Sequence, residues 1–476
     1  MKRSIKTNYI YNLMHQVISI ILPLITTPYI SRMLGSNGVG IYSYAMSITT
    51  YFILFGTLGI SLYGQREIAY NQNSKSKRSK IFWELFVFRL ITMVISMAIF
   101  FFMFAYKGEY HVYFRILLLE MLANIFDISW FYYGLEDFKK IAIRNILIEI
   151  VAALSLFVFV KDSSDTSIYV FIYSVRTLLI GILTWIGVHN LIELPKKLEV
   201  FRHFKKTIYL FIPQVAIQIY TVLDKTMIGA ILNDMDEVGY YEQSQKIIKA
   251  MLVLVTGVTT VMMPRIASFY SENRKDKIIE YMNKTFKFVF MFTIPLMFGT
   301  IVVSDTFAPM FFGVGFEKVP TIMKILSAII IFISISNITG NQYLLSVKRE
   351  KEYTISVIVG AIVNVILNYI LIRYYKSYGA AIATVIAELC VTVVQLYFVR
   401  KDFKLRDIFR GSIHYWIAGI IMFFVCLFLD AQLEHLMMSV IVETCFGIIV
   451  YFVLLLLFKD RFLMELSENV KKFILK

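Results

Sequence analysis

Basic residues lie inside long apolar stretches of this chain, among them Arg89, Arg115, Arg176, Lys225, Lys246, Lys249 and Lys324. Guanidinium and ammonium groups are donors suited to phosphate or diphosphate oxygens. Ionised side chains facing lipid are expensive, so these groups should face protein or water. Carboxylates accompany them. Glu242, Lys246 and Lys249 form an i, i+4, i+7 face, and Glu120, Asn124 and Asp127 repeat that spacing. Asp224 precedes Lys225 directly, and adjacent residues on a helix point in different directions.

Three readings of this set stand side by side. One is ion pairing within each helical bundle. Another is snorkelling of Arg115 and Lys324, which lie near the ends of their stretches. The third is a cationic, water-filled cavity for an anionic head group, with Arg89, Arg176, Lys225 and Lys249 as its donors and Asp224, Glu242 and Lys246 beside them. An exporter of cations would instead favour carboxylates, and Glu120 or Asp127 would be its ion-coupling groups. Pro23, Pro28 and Pro213, in equivalent helices of two halves, and Pro295 can kink a helix where neighbours satisfy the freed carbonyl. They are gating candidates, with static packing as the alternative.

Other chemistry is missing. The six histidines (15, 111, 189, 203, 414 and 435) are scattered without metal-ligand spacing. Cys390, Cys426 and Cys445 all lie in apolar runs and suggest neither a disulfide framework nor a metal site. There is no glycine-rich phosphate loop and no nucleophile triad. No enzyme and no cofactor are expected.

These charges need elements that hold them in an apolar medium, and composition supplies them. Of 476 residues 58% are hydrophobic and 17% charged, yet the net charge is +15. Such a chain has too little polar surface for a soluble enzyme or a nucleic-acid binder. A membrane helix needs about 20 mainly apolar residues. The chain offers fourteen stretches, at 10–34, 39–65, 81–106, 110–133, 141–160, 167–188, 207–232, 238–262, 286–306, 318–345, 353–373, 379–399, 411–429 and 436–458. Basic residues crowd alternate loops, at 66–80, 189–206, 263–285 and 400–410, and are sparse in the others. This positive-inside pattern puts both termini in the cytoplasm and explains most of the +15 as topology.

An internal repeat organises the spans. Val39-Gly40-Ile41-Tyr42 and Val238-Gly239-Tyr240-Tyr241 open equivalent helices 199 residues apart. The expected fold is therefore all-α and polytopic, with about 14 transmembrane helices in two parallel six-helix lobes plus two C-terminal helices. The lobes are residues 1–188 and 207–399, joined by a cytoplasmic linker at 189–206. Helices 13–14 occupy 411–458 and a cytoplasmic tail 459–476.

The segment from Pro28 to Ser43, with Ser31-Arg32-Met33-Leu34-Gly35 and Gly38-Val39-Gly40-Ile41-Tyr42, resembles bacterial polysaccharide repeat-unit flippases. So do Tyr63-Gly64-Gln65-Arg66-Glu67, Leu223-Asp224-Lys225-Thr226 and Gly239-Tyr240-Tyr241-Glu242-Gln243. The resemblance covers essentially the whole chain. It implies a member of the multidrug/oligosaccharidyl-lipid/polysaccharide exporter superfamily, with two lobes in a V around a cavity whose cations bind a lipid diphosphate. The implied function is flipping an undecaprenyl-diphosphate-linked oligosaccharide across the bacterial cytoplasmic membrane by alternating access. A teichoic acid precursor, or a small molecule exported with cation coupling, is the alternative cargo. The implied partners are the polyprenyl-diphosphate-linked glycan, membrane lipids and the glycosyltransferases and polymerase of the same pathway, with no nucleic acid.

Overall fold

The computed structural model describes the backbone of residues 5–432 and 437–474. Among the described residues every regular element is helical and there is no strand. The chain divides into two compact units, Met1–Gly239 and Tyr240–Lys476.

Unit 1 contains α1 (Ile5–Thr57), α2 (Ile60–Tyr70), α3 (Lys75–Phe100), α4 (His111–Phe126), α5 (Ser129–Gly134), α6 (Phe138–Phe159), α7 (Thr166–Leu183) and α8 (Phe204–Leu232). Helix α8, which opens the expected second lobe, thus groups with the first unit. The link expected at 35–38 shrinks to one residue. Gly35, at φ 66 and ψ −177, breaks α1 in a backbone conformation that residues with a side chain rarely adopt. Pro23 and Pro28 lie within α1 before that break. Pro213 lies in α8, and its side chain falls outside the described residues. Within the unit α4 packs on α7, and α1 packs on α3, α6 and α8. One core joins Ile30, Leu34 and Ile48 to Leu117, Met121 and Tyr169. A second, aromatic core gathers Phe82, Trp130 and Phe131.

Unit 2 holds most of α9 (Met235–Ser271), then α10 (Lys275–Phe312), α11 (Val319–Leu326), α12 (Ile329–Ser336) and α13 (Glu350–Val399). It closes with α14 (Leu405–Gly411), α15 (Ile413–Asp430), α16 (Met437–Leu457) and α17 (Arg461–Ile474). Helix α13 is interrupted at Lys376, whose φ is 52 and ψ −131. A Cβ on Gly379 would lie 2.9 Å from the amide nitrogen of Ile372. Seven residues of straight helix rise about 10 Å, so the chain has doubled back. The two expected spans at 353–373 and 379–399 are the arms of this hairpin. The core of the unit runs from Val255 and Phe286 through α10 to Tyr415 and Tyr451.

Among the described residues, ten helical stretches are long and apolar enough to cross a membrane. Two of them, Ile21–Tyr70 and Glu350–Val399, are 50 residues long and carry the breaks at Gly35 and Lys376. Helix α4 is shorter than the fourth expected span because the chain leaves the helix at Asp127 before resuming in α5. Outward apolar stripes match the membrane reading. Leu147, Val151, Leu154 and Val158 of α6, spaced four, three and four residues apart, are each 59–60% exposed. In water such a stripe would be a liability, whereas lipid covers it at no cost. The protein is a multi-pass membrane protein.

Candidate functional site

In unit 1 the intramembrane charges occupy distinct surroundings. Arg89 on α3 is 2% exposed. Its Nη1 donates to the carbonyl oxygen of Asp127 at 2.6 Å, and its Nη2 donates to Ser61 Oγ at 2.8 Å. Helix α4 ends at Asp127, so the guanidinium takes up a carbonyl left over where α4 stops and ties it to α2. The Asp127 carboxylate accepts the backbone N–H of Ser129 at 2.9 Å, which starts α5. This pair therefore shapes the α4–α5 turn.

Glu120 and Arg176 lie on the packed pair α4 and α7. Glu120, buried on α4, accepts from Thr177 Oγ1 at 3.0 Å, and its carbonyl accepts from Asn124 Nδ2 at 2.9 Å. Arg176, the residue before Thr177 on α7, sets its Cζ 4.8 Å from the Tyr173 ring centroid. Such stacking satisfies the guanidinium face and leaves its in-plane donors for other partners. Its buried Nε has no hydrogen-bond acceptor among the described residues. Arg176 borders two cavities. One, about 80 Å³, is also lined by Ser19, Pro23, Thr26 and Glu149. The other, about 590 Å³, is apolar and lined by Leu147, Val151, Phe159, Phe171 and Leu179 of α6 and α7.

Asp224 is buried on α8 and Lys225 is half-buried beside it. The next residue anchors this turn to α1: Thr226 Oγ1 lies 2.8 Å from Ser47 Oγ and 3.2 Å from Tyr51 Oη. In unit 2, Glu242, Lys246 and Lys249 lie on the single continuous helix α9, as their spacing implies. Glu242 and Lys246 are half-buried, and Lys249 is exposed and donates to Gln245 Oε1 at 2.9 Å. The two residues expected to snorkel are tied down locally. Arg115 caps the carbonyls of Ala105 and Tyr106, and Lys324 pairs with Asp305 at 2.5 Å.

The repeated Val-Gly-x-Tyr motif has a steric cause inside unit 1. A Cβ on Gly40 would lie 2.7 Å from the carbonyl carbon of Met235 and 3.0 Å from the nitrogen of Gly239. A Cβ on Gly239 would lie 2.9 Å from the carbonyl carbon of Ser36. The chain entering α9 therefore crosses the α1 break backbone to backbone, and Asp236 accepts hydrogen bonds there from Ser36 and Asn37.

Two polar networks escaped the sequence reading. In unit 2, Thr339 Oγ1 donates to Gln395 Oε1 at 2.7 Å, and Gln395 Nε2 donates to Ser356 Oγ at 3.0 Å. Gln342 Nε2 reaches Thr285 Oγ1 at 3.1 Å. The cluster Asn337-Ile338-Thr339-Gly340-Asn341-Gln342 is unusually polar for a span, and it forms a π-helical turn. In unit 1 the linker after α7 is clamped to α3 by Glu84, whose side chain is fully buried. Glu84 accepts from Arg202 Nη2 at 2.6 Å, His203 Nε2 at 2.9 Å and the Glu199 backbone N–H at 2.9 Å. Tyr63 Oη lies 2.9 Å from His203 Nδ1. Burial holds the His203 imidazole below its ordinary pKa, against the opposing pull of Glu84. Lys80, 2.8 Å from Glu199, holds that carboxyl below its usual range. Glu84 falls inside a span and was the one signal that could have revealed the clamp.

Comparison with known proteins places this architecture. A curated relative from Escherichia coli strain K12, named "Putative O-antigen transporter", is 28% identical over 84% of this chain and 98% of its own length. "Probable low-salt glycan biosynthesis flippase Agl15" of Haloferax volcanii is 24% identical over 54% of each chain. The solved structure "Lipid II flippase MurJ, inward closed conformation" shares the fold at a TM-score of 0.77 and 20% identity, covering 95% of this chain and 99% of that one. The MatE family model matches residues 210–370. The model of the polysaccharide biosynthesis protein family matches residues 5–270, more than half of the chain, and the chain belongs to that family.

Proposed function

We propose that this protein is a flippase that moves a polyprenyl-diphosphate-linked oligosaccharide, a cell-envelope glycan precursor, across the cytoplasmic membrane. Family membership and the relatives named as an O-antigen transporter and a glycan flippase support the class of cargo. The observation that carries the reading is Arg176. It is a guanidinium within the membrane region, with a buried donor lacking an acceptor among the described residues, at the border of a small cavity of mixed lining and a larger apolar one. A diphosphate supplies acceptors for such a donor, and the polyprenyl chain attached to it is compatible with apolar walls. Within unit 1 we assign Lys225, with Asp224 beside it, to the head group as well; within unit 2 we assign Lys246 and Lys249, with Glu242 on the same helix, to the cargo as a separate cationic face. Arg89 we assign to the α4–α5 turn, given its two short bonds there.

The mode is alternating access. The head group enters from the cytoplasmic leaflet and leaves to the outer one while the polyprenyl tail stays in lipid. No bond is made or broken, so the protein is a transporter and not an enzyme. Both termini lie in the cytoplasm, as the basic loops favour. Pro23, Pro28 and Pro213 serve gating. Glycosyltransferases and a polymerase of the same pathway supply and consume the cargo.

A second reading is a cation-coupled exporter of small molecules, favoured by the MatE match and by buried Glu120. Reconstituted vesicles separate the two. The flippase reading expects protein-dependent appearance of a lipid-linked oligosaccharide in the far leaflet and no gradient-driven efflux of a cationic dye. The reverse outcome would overturn it. Parallel assays with a lipid-linked teichoic acid precursor assign the head group.

A further inference from the structure

At the end of unit 1 that carries the 189–206 linker, a cavity of about 540 Å³ is lined by Lys77, Lys80, Arg202 and Lys206, with Tyr63 and Glu67 among the remaining walls. Its floor is the Glu84 clamp. That clamp consumes two of the four cations: Arg202 is bound to Glu84, and Lys80 to Glu199 and, at 3.7 Å, to Glu84. Glu67 lies 4.0 Å from Arg66. Lys77 and Lys206 make no ion pair among the described residues, so the cavity keeps uncompensated positive charge at its rim.

The same linker carries large apolar side chains on the outside. Leu194 is 81% exposed and Phe201 66%, and Leu198 and Phe204 are exposed as well. Phe201 and Phe204 flank Arg202 and His203 in sequence and lean on Phe88, with ring centroids 6.0 and 6.1 Å away. A site for a soluble anion has no use for this apolar rim, whereas a lipid brings acyl chains to cover it. Basic and apolar groups interleaved on one short segment are the signature of a segment lying in the membrane interface.

We propose that this cavity binds the phosphodiester head group of an anionic phospholipid of the leaflet bordering the linker. Lys77 and Lys206 contact the phosphate, and Phe201 and Leu194 lie against the acyl chains. The bound lipid pins the linker that joins α7 to α8. This site is separate from the cations assigned to the transported head group, and its test reads lipid retention and not transport.

The experiment uses the full chain, purified in mild detergent and offered phosphatidylglycerol or phosphatidylcholine. Bound lipid per protein is counted by native mass spectrometry. Phosphatidylglycerol is expected to be retained over phosphatidylcholine, and Lys77→Gln/Lys206→Gln to weaken that retention by about tenfold or more. Lys75→Gln/Lys205→Gln removes the same charge from neighbouring positions outside the cavity and should leave retention within about twofold. An equal fall in both double variants, or in neither, overturns the proposal. Displacement of phosphatidylglycerol by millimolar inorganic phosphate also overturns it, because the site would then serve a soluble anion. Lys77 and Lys206 are exposed and unpaired among the described residues, so their replacement should preserve the melting temperature. A melting shift in the first variant calls for the shorter Lys206→Gln single variant, whose retention is expected to fall with the fold intact.

Discussion

Replacing Gly40 by alanine adds one methyl group, and the surrounding backbone sets its cost. The new Cβ would lie 2.7 Å from the carbonyl carbon of Met235, below the 3.0 Å that Cβ atoms do not breach, and 3.0 Å from the nitrogen of Gly239. Both neighbours are main chain and cannot rotate away, so the crossing of α1 and the start of α9 must separate. Overpacking of this kind costs about 1–3 kcal/mol and occasionally more. Alanine's better helix propensity returns less than about 1 kcal/mol. The net cost is then up to about 2 kcal/mol, and at about 2–4 °C per kcal/mol the apparent melting temperature should fall by up to roughly 8 °C. The controls are Gly257→Ala in α9 and Gly299→Ala in α10, where an added Cβ meets nothing within 4 Å. These should be neutral or raise the melting temperature by about 1–4 °C. Fluorescence-monitored melting of the three variants in one detergent compares them directly. A Gly40→Ala protein as stable as the two controls would refute the claim that the repeated Val-Gly-x-Tyr motif exists for close backbone crossing.

Arg89→Met should destabilise unit 1 by about 3 kcal/mol or more, because two charge-assisted hydrogen bonds are lost and the Asp127 carbonyl is left unpaired. Flipping per folded molecule should survive, as measured in vesicles against the amount of folded protein. Asp305→Asn, which breaks the Lys324 pair, should cost less than about 1 kcal/mol, since the aspartate is more than half exposed. Acidification should loosen the linker clamp. The docked His203 has a lowered pKa, so the undocked form binds the proton more readily, and docking weakens as pH falls from about 6.5 toward the lower docked value. Protection of the Glu199 and Arg202 amides, corrected for the intrinsic pH dependence of exchange, should fall between pH 7 and 5, and His203→Gln should remove that dependence.

Much of this architecture could be read in the sequence because lipid forces long apolar runs. The span at 286–306 falls within α10, and those at 81–106 and 411–429 overlap α3 and α15 to within a few residues. Boundaries were harder where one residue reverses or bends the chain. Gly35 and Lys376 interrupt helices that are otherwise continuous; both breaks fall in the expected links, but composition does not show that a single residue makes the turn. The intramembrane cations were found from their cost in an apolar medium. Their surroundings were not, since Arg89 finds its acceptor 38 residues away and Arg176 owes its position to the packing of α4 on α7. The Glu84 clamp joins residues up to 119 positions apart, a separation at which periodicity carries no information.

Transport itself remains the most direct test. Vesicles containing the full chain would receive a fluorescent polyprenyl-diphosphate-linked oligosaccharide in one leaflet, and its arrival in the other would be followed by an impermeant quencher. The account predicts protein-dependent arrival that is reduced at least about tenfold in Arg176→Gln/Lys225→Gln, a loss of about 1.4 kcal/mol or more in head-group binding. It predicts little change in Arg89→Lys. Unaltered flipping in the double variant, with both proteins equally folded, would contradict it.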